Sequence, residues 1–159
     1  MRITCVLCSQ SMKGDLIMAT KMTKEQYMAF LAQGTRTGKL ATVRADGRPH
    51  IAPIWFVLDG DDIVFMTAAD TVKGQNLRRD PRMTLCVDKE EPNYGYVIVE
   101  GTVTLSEDLE QMLPLSTRIA ARYMGADKAE AYGKRNAVAG EMLVRVTPSK
   151  VMALDDLAE

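Results

Sequence analysis

Histidine is almost missing from this chain: one residue among 159, His50. A zinc site of the common kinds needs more ligands than that. A serine or cysteine triad would rest on His50 alone, in a strand just after a turn. Cysteine is scarce as well, with Cys5, Cys8 and Cys86 the complete set. An odd count argues against a disulfide framework and fits a reducing, cytoplasmic setting. The Cys5-x-x-Cys8 pair has no second pair and no strand–helix context, so no metal site is expected there. Net charge is −1, from 20 basic and 21 acidic residues, and without a whole-domain basic excess no nucleic-acid partner is expected. No apolar run approaches the roughly 18 residues that span a bilayer, so no membrane partner is expected either. The chain has no G-x-G-x-x-G and no G-x-x-x-x-G-K-[ST] loop. It has no G-x-S-x-G elbow, no repeats and no low-complexity linker.

What is present fits one domain with an ordinary apolar share. Residues 1–18 show no helical or strand period, and Lys13 and Asp15 stand where a secretion signal needs an apolar stretch. Met18 restarts the chain in Ala-Thr-Lys-Met-Thr. The expectation is a flexible N-terminal extension over 1–18, or an over-long start, followed by a domain over 19–159.

Thr23 with Gln26 three residues on forms a capping-box pattern, and Tyr27, Phe30 and Leu31 follow at helical spacing. This predicts a helix over 23–33. Alternation over 39–45, the Asp46-Gly47 turn, a strand over 49–58, the Asp59-Gly60-Asp61 turn and a strand over 63–67 predict an antiparallel meander. The first turn is expected to be type I′. Pro53 inside the second strand requires an edge or a bulge, the latter leaving backbone groups for a ligand. Asp70 or Thr71 caps a short helix through Arg79. Strands follow over 82–88 and 94–105, with Gly101 marking a bulge or close packing. Helices over 107–124 and 127–136 and strands over 141–146 and 150–154 complete the order. No βαβ rhythm appears, so the fold class is mainly β (α+β): a six- to seven-stranded antiparallel split β-barrel with peripheral helices.

Chemistry concentrates between Thr67 and Arg82, where Lys73, Arg78, Arg79 and Arg82 fall within ten residues. A hydroxyl at a strand end, a helix N-terminus and a lysine in its first turns make a phosphate site. The same spacing also describes a solvated basic helix face. Trp55 and Phe56 supply flat apolar surface, for a ring or for the core. Leu115, Ile119 and Tyr123 at helical spacing read as core or dimer surface.

Four stretches stand in register: Gly47-Arg-Pro-His-Ile-Ala-Pro-Ile-Trp-Phe56 with Asp59-Gly-Asp, Lys73-Gly-Gln-Asn-Leu-Arg-Arg-Asp-Pro-Arg82, Val87-Asp88, and Tyr94-Gly-Tyr-Val-Ile-Val-Glu-Gly101. Over residues 22–154 they resemble the pyridoxamine 5′-phosphate oxidase-like split β-barrel superfamily, and within it the coenzyme F420-dependent oxidoreductases of the B type. The resemblance implies a homodimer with cofactor grooves at the subunit interface. It implies that Thr67, Val72 and Lys73 hold the cofactor phosphate, helped by Asn76 and Arg79. His50, Ala52, Pro53 and Trp55 border the deazaflavin ring, and Tyr94 and Tyr96 close the site from the partner. The loop carries Thr71 where some relatives have arginine. The implied activity is hydride transfer between coenzyme F420 and a small electron-poor organic substrate, with no protein acid or base identified. FMN on the same fold, a haem-degrading or biliverdin-reducing relative, and a cofactor-binding protein without turnover are the alternatives.

Overall fold

The computed structural model describes residues 19–157; the expected extension over 1–18 and the Cys5–Cys8 pair lie outside them. The elements run β1 (Thr20–Lys21), α1 (Lys24–Ala32), β2 (Gly38–Val43), β3 (Pro49–Ile54), β4 (Phe56–Asp59), β5 (Asp62–Ala68), α2 (Val72–Arg79), β6 (Arg82–Lys89), β7 (Gly95–Ser106), α3 (Leu109–Met124), α4 (Ala129–Asn136) and β8 (Glu141–Asp155).

Helix α1 begins as its sequence dictates. The Thr23 hydroxyl accepts from the Gln26 amide, and the Gln26 side chain accepts from the Thr23 amide. Gly47 alone in the β2–β3 turn takes a positive φ, +82°, and its amide donates to the Arg44 carbonyl. The turn is therefore type I with a left-handed glycine after it, not the type I′ turn expected, in which Asp46 would also need φ > 0.

One curled antiparallel sheet follows the order β3-β2-β6-β7-β8-β5-β4, with β1 paired to β8. The stretch 49–58, expected as one strand of a meander, is two strands at opposite ends of that order. It breaks at Trp55, and the chain passes from one edge of the sheet to the other. Pro53 accordingly sits in an edge strand, where a missing N–H costs no ladder bond. The two final strands expected are one, β8, which serves β5 with its first half and β7 along its length. Register slips between Glu100 and Gly101. A Cβ on Gly101 would stand 2.5 Å from the Thr147 carbonyl oxygen, so the glycine provides both the bulge and the close approach.

Two apolar clusters hold the fold. Leu40, Phe56, Phe65, Leu85, Val97 and Val144 fill the barrel together with Leu31 of α1 and Leu77 of α2. On the other side of β4, β5 and β8, the residues Val57, Val64 and Leu143 meet Met112, Leu115 and Ile119 of α3. Strand β5 is thus buried on both faces. The outward faces of β3, β2, β6 and β7 gain no cover from α3, and Ile51 is left 67% exposed. Among the described residues no helix is long and apolar enough to cross a membrane.

Candidate functional site

The break at Trp55 opens a groove where β3 and β4 part company. Its apolar walls are Pro53, Ile54 and Trp55 from the break, Met66 on the outer face of β5, and Ile119 of α3. Its polar residues are Lys73, Ser116 and Asn136, and the open groove has a volume of about 270 Å³. The Trp55 ring stacks on Tyr123 with centroids 5.0 Å apart and planes 3° from parallel. Tyr123 is itself fixed: its hydroxyl donates to the Arg36 carbonyl at 2.8 Å and accepts from the Phe56 amide at 3.3 Å. Burial pushes that phenol above its usual range, so it stays protonated and a donor.

Helix α2 delivers Lys73. The Thr71 hydroxyl caps it by accepting from the Gly74 amide at 3.2 Å and donating to the Ala68 carbonyl at 2.8 Å. The Thr67 hydroxyl lies 3.0 Å from that of Thr71, so the strand-end threonine braces the cap from beneath. Gly74 permits the tight corner, since a Cβ there would lie 2.5 Å from the Ala68 carbonyl oxygen. Lys73 in turn makes no hydrogen bond and no ion pair with any described residue.

The basic residues after Lys73 behave differently. Arg78 pairs with Glu107, Arg82 with Asp80 at 2.7 Å, and Arg79 donates to the Val43 carbonyl. Asp80 falls to about 2 because Arg82 bonds it. The Asn76 amide is buried, 3.0 Å from the Thr42 hydroxyl and 3.3 Å from the carbonyls of Val43 and Val72. Asn76 and Arg79 thus fasten α2 to β2.

The structure therefore gathers Pro53, Trp55 and Lys73 in one groove, with Val72 exposed beside it on the first turn of α2. His50 and Ala52 lie on the opposite face of β3 from Pro53, paired with Thr42 and Leu40, and the His50 ring is 3.3 Å from the Arg44 guanidinium. Thr67 is buried under the cap. Tyr94 and Tyr96 are outside this chain's groove: Tyr94 is exposed before β7, and the Tyr96 hydroxyl lies 3.7 Å from the Met152 sulfur. The sequence reading missed Ser116 and Asn136, and placed Ile119 and Tyr123 in a core or dimer stripe. The signal for Ser116 was a lone hydroxyl inside the apolar stripe Met112, Leu115, Ile119. A hollow of about 470 Å³ between 33–37 and 88–91 is larger, but its Lys39 and Asp88 are already paired at 2.6 Å.

An ammonium with no hydrogen-bonded or ion-paired partner among the described residues attracts an anion, and the chain's own carboxylate within its electrostatic reach works against that. Glu141, at the start of β8, is pushed above the usual carboxylate range by burial and by Asp70, against the pull of Lys73. A raised acid stabilises the fold below its unfolded value and loses that contribution as pH rises through the folded one. Glu141→Gln should therefore raise the melting temperature above about pH 5 and leave it unchanged at lower pH. The same variant should tighten sulfate binding at neutral pH, where the native carboxylate repels the anion. Thermal melts with and without sulfate across pH check both. Equal shifts at every pH would show that the carboxyl's charge is not the cause.

The family profile described as pyridoxamine 5′-phosphate oxidase matches residues 23–155. A pyridoxine/pyridoxamine 5′-phosphate oxidase of Pseudomonas entomophila is 37% identical over 90 residues, which span 52% of this chain and 40% of that protein. Among solved structures, a conserved hypothetical protein of Mycobacterium tuberculosis is 25% identical with a TM-score of 0.75, covering 86% of each chain. A protein described as an F420 reductase is 26% identical with a TM-score of 0.61, covering 77% of this chain and 94% of the other.

Proposed function

Since this chain belongs to the pyridoxamine 5′-phosphate oxidase family, we propose that it is an oxidoreductase that uses coenzyme F420 on a small electron-poor organic substrate. The observation that carries the reading is the Lys73 ammonium, without a hydrogen bond or ion pair to any described residue, in an aromatic-walled groove. The residues fit such a cofactor. An ammonium beside the first turn of a helix suits a phosphate, and a flat tryptophan face suits a fused ring. The likeness to the F420 reductase supports the choice of cofactor.

When bound, the deazaflavin supplies the hydride chemistry. The protein binds, orients and keeps water away. Lys73 and the first amides of α2 hold the phosphate. Strand β3 is an edge strand, so backbone groups along 50–53 that no neighbour pairs are left to border the ring. Trp55, held flat by Tyr123, forms one wall.

The working unit in this reading is a homodimer. Val43, Ile51 and Met152 are exposed on the outward sheet face, and a second copy seated there would cover them. It would also bring its own Tyr94 and Tyr96 toward the groove. Light scattering should give twice the chain mass.

A second reading, FMN on the same fold, is favoured by one observation: Arg78, Arg79 and Arg82 are engaged within the chain. They are then not free to receive a polycarboxylate tail, and a phosphate monoester needs only Lys73. Side-by-side fluorescence titration of the full chain with F420 and FMN discriminates. Micromolar binding of F420 with weaker FMN binding supports the proposal. The reverse assigns FMN, and binding of neither overturns the site. Tight F420 binding with no acceptor able to oxidise F420H2 would make the chain a cofactor-binding protein without turnover.

A further inference from the structure

His50 has a neighbour that decides which of its ring nitrogens carries the proton. The Arg44 guanidinium stands 3.3 Å from the imidazole Nδ1. A guanidinium has N–H donors and no acceptor, and it stays charged in proteins. The Nδ1 facing it must therefore offer a lone pair, and the ring proton sits on Nε2. The β2–β3 turn holds Arg44 in that place. Its amide donates to the Arg48 carbonyl at 2.9 Å, and its carbonyl accepts from the Gly47 amide at 3.0 Å. The turn's own carboxylate, Asp46, is bound by Arg48 at 2.7 Å, and Arg44 makes no ion pair with any described residue.

The Nε2–H that remains is a donor with an open side. It has no hydrogen-bond partner among the described residues. The Ser116 hydroxyl is the buried side-chain group among them that lacks a partner. The half-buried His50 ring therefore keeps its unpartnered Nε2 within reach of solvent. Cross-strand partners point to one face of a sheet. His50 is the partner of Thr42, and Asn76 of α2 lies 3.0 Å from the Thr42 hydroxyl. The imidazole is thus on the α2 side of β3, an edge strand, next to the helix whose first turn carries Lys73.

We propose that Arg44 is a positioning residue that fixes His50 as its neutral Nε2–H tautomer, and that this N–H donates to an acceptor oxygen of the ligand bound at the open edge of β3. The inference rests on the cofactor reading of that edge and adds to it a donor and the group that sets the donor. A neutral imidazole in water exchanges between two tautomers, and a ligand that needs a donor at Nε2 must select one of them. Arg44 makes the selection before the ligand arrives. A cation against Nδ1 also polarises the ring and strengthens Nε2–H as a donor.

Nitrogen NMR reads the tautomer directly, because His50 is the chain's one histidine. In the untagged full chain carrying labelled histidine, at about pH 8, Nδ1 should be unprotonated and Nε2 protonated, without averaging. In Arg44→Ala both signals should move toward those of free histidine, where the tautomers mix. Arg44→Lys, which also donates and never accepts, should restore the native pattern. Saturating the native chain with whichever of F420 and FMN it prefers should shift Nε2 and leave Nδ1 in place. In fluorescence titration His50→Phe, which keeps a ring and loses the donor, should bind that cofactor about fivefold more weakly. Unchanged ring signals in Arg44→Ala would overturn the role of Arg44. A native Nε2 that ignores the bound cofactor would overturn the ligand contact, and so would native affinity in His50→Phe. If the native chain binds neither cofactor, the cofactor reading fails and the contact falls with it, while the ring signals still decide what Arg44 does.

Discussion

Lys73→Ala should weaken cofactor binding by roughly 10- to 100-fold, the loss of a charge-assisted bond to a phosphate. It should do so with a melting temperature unchanged to within about 2 °C. The two halves of that expectation come from one fact: the Lys73 ammonium has no hydrogen bond or ion pair with any described residue, so no described residue loses such a bond when it goes. The corner that carries it is held by other groups. Thr71 caps α2, Thr67 braces Thr71, Leu77 sits in the barrel core, and Asn76 and Arg79 fasten the helix to β2. Affinity in the native chain should also fall as salt rises, and this dependence should flatten in the variant, because the lost interaction is a charge near the surface. Lys73→Arg keeps the charge on a longer, planar head and should recover only part of the affinity. A variant that melts well below the native protein would show that Lys73 holds the fold rather than a ligand.

Arg122→Ala should act the other way round, on stability first, by about 3 kcal/mol, or roughly 6–12 °C in melting temperature. Its guanidinium donates to the carbonyls of Leu31 at 2.7 Å, Gly34 at 2.9 Å and Phe56 at 2.9 Å. It also lies over the Phe56 ring, 4.5 Å from its centre. Three carbonyls from the end of α1, the loop after it and the start of β4 thus converge on one side chain of α3. Burial pulls the Arg122 pKa down, but an arginine starts so high that it remains charged at any working pH. Removing it strands partly buried acceptors on three segments at once. Lysine cannot replace it, since one ammonium cannot present the same fork of donors. The next residue, Tyr123, carries the Trp55 ring, so the loosened end of α3 should also reduce cofactor affinity, by a smaller factor than Lys73→Ala. Denaturant unfolding of Arg122→Ala and Arg122→Lys tests the expectation. Wild-type stability in both would mean that water serves those carbonyls equally well.

A milder electrostatic tie works nearby. Asp59 accepts from Arg118 at 2.8 Å and from Arg145 at 2.7 Å, joining α3 and β8 to the β4–β5 hairpin. These bonds hold the Asp59 carboxyl below its usual range, Arg118 contributing most. Its stabilising contribution is present above the unfolded carboxylate value and disappears as pH falls through the lowered one.

The sequence by itself determined the local structure and the kin of this protein. The Thr23–Gln26 box, the Thr71 cap, Gly47 and Gly60 at the hairpins and Gly101 at the bulge each act through atoms a few residues apart, or through a backbone conformation that one residue type adopts cheaply. Four short motifs in the right order were enough to name the family, because order along the chain is a property of sequence. Only the tertiary structure decided which strands are neighbours. Alternation reports which face of a strand is buried, not what it pairs with, so 49–58 read as one strand, while its two halves lie at opposite edges of the sheet. Only the folded chain decided which cations are free. Lys73 and the arginines after it look alike as a run of basic residues. They differ because Glu107, Asp80 and the Val43 carbonyl are brought to the arginines from β7–α3, the end of α2 and β2, whereas no described residue is brought into a hydrogen bond or ion pair with Lys73. Ser116 is the same case for a neutral group, since a hydroxyl is satisfied or unsatisfied only by what the fold sets beside it.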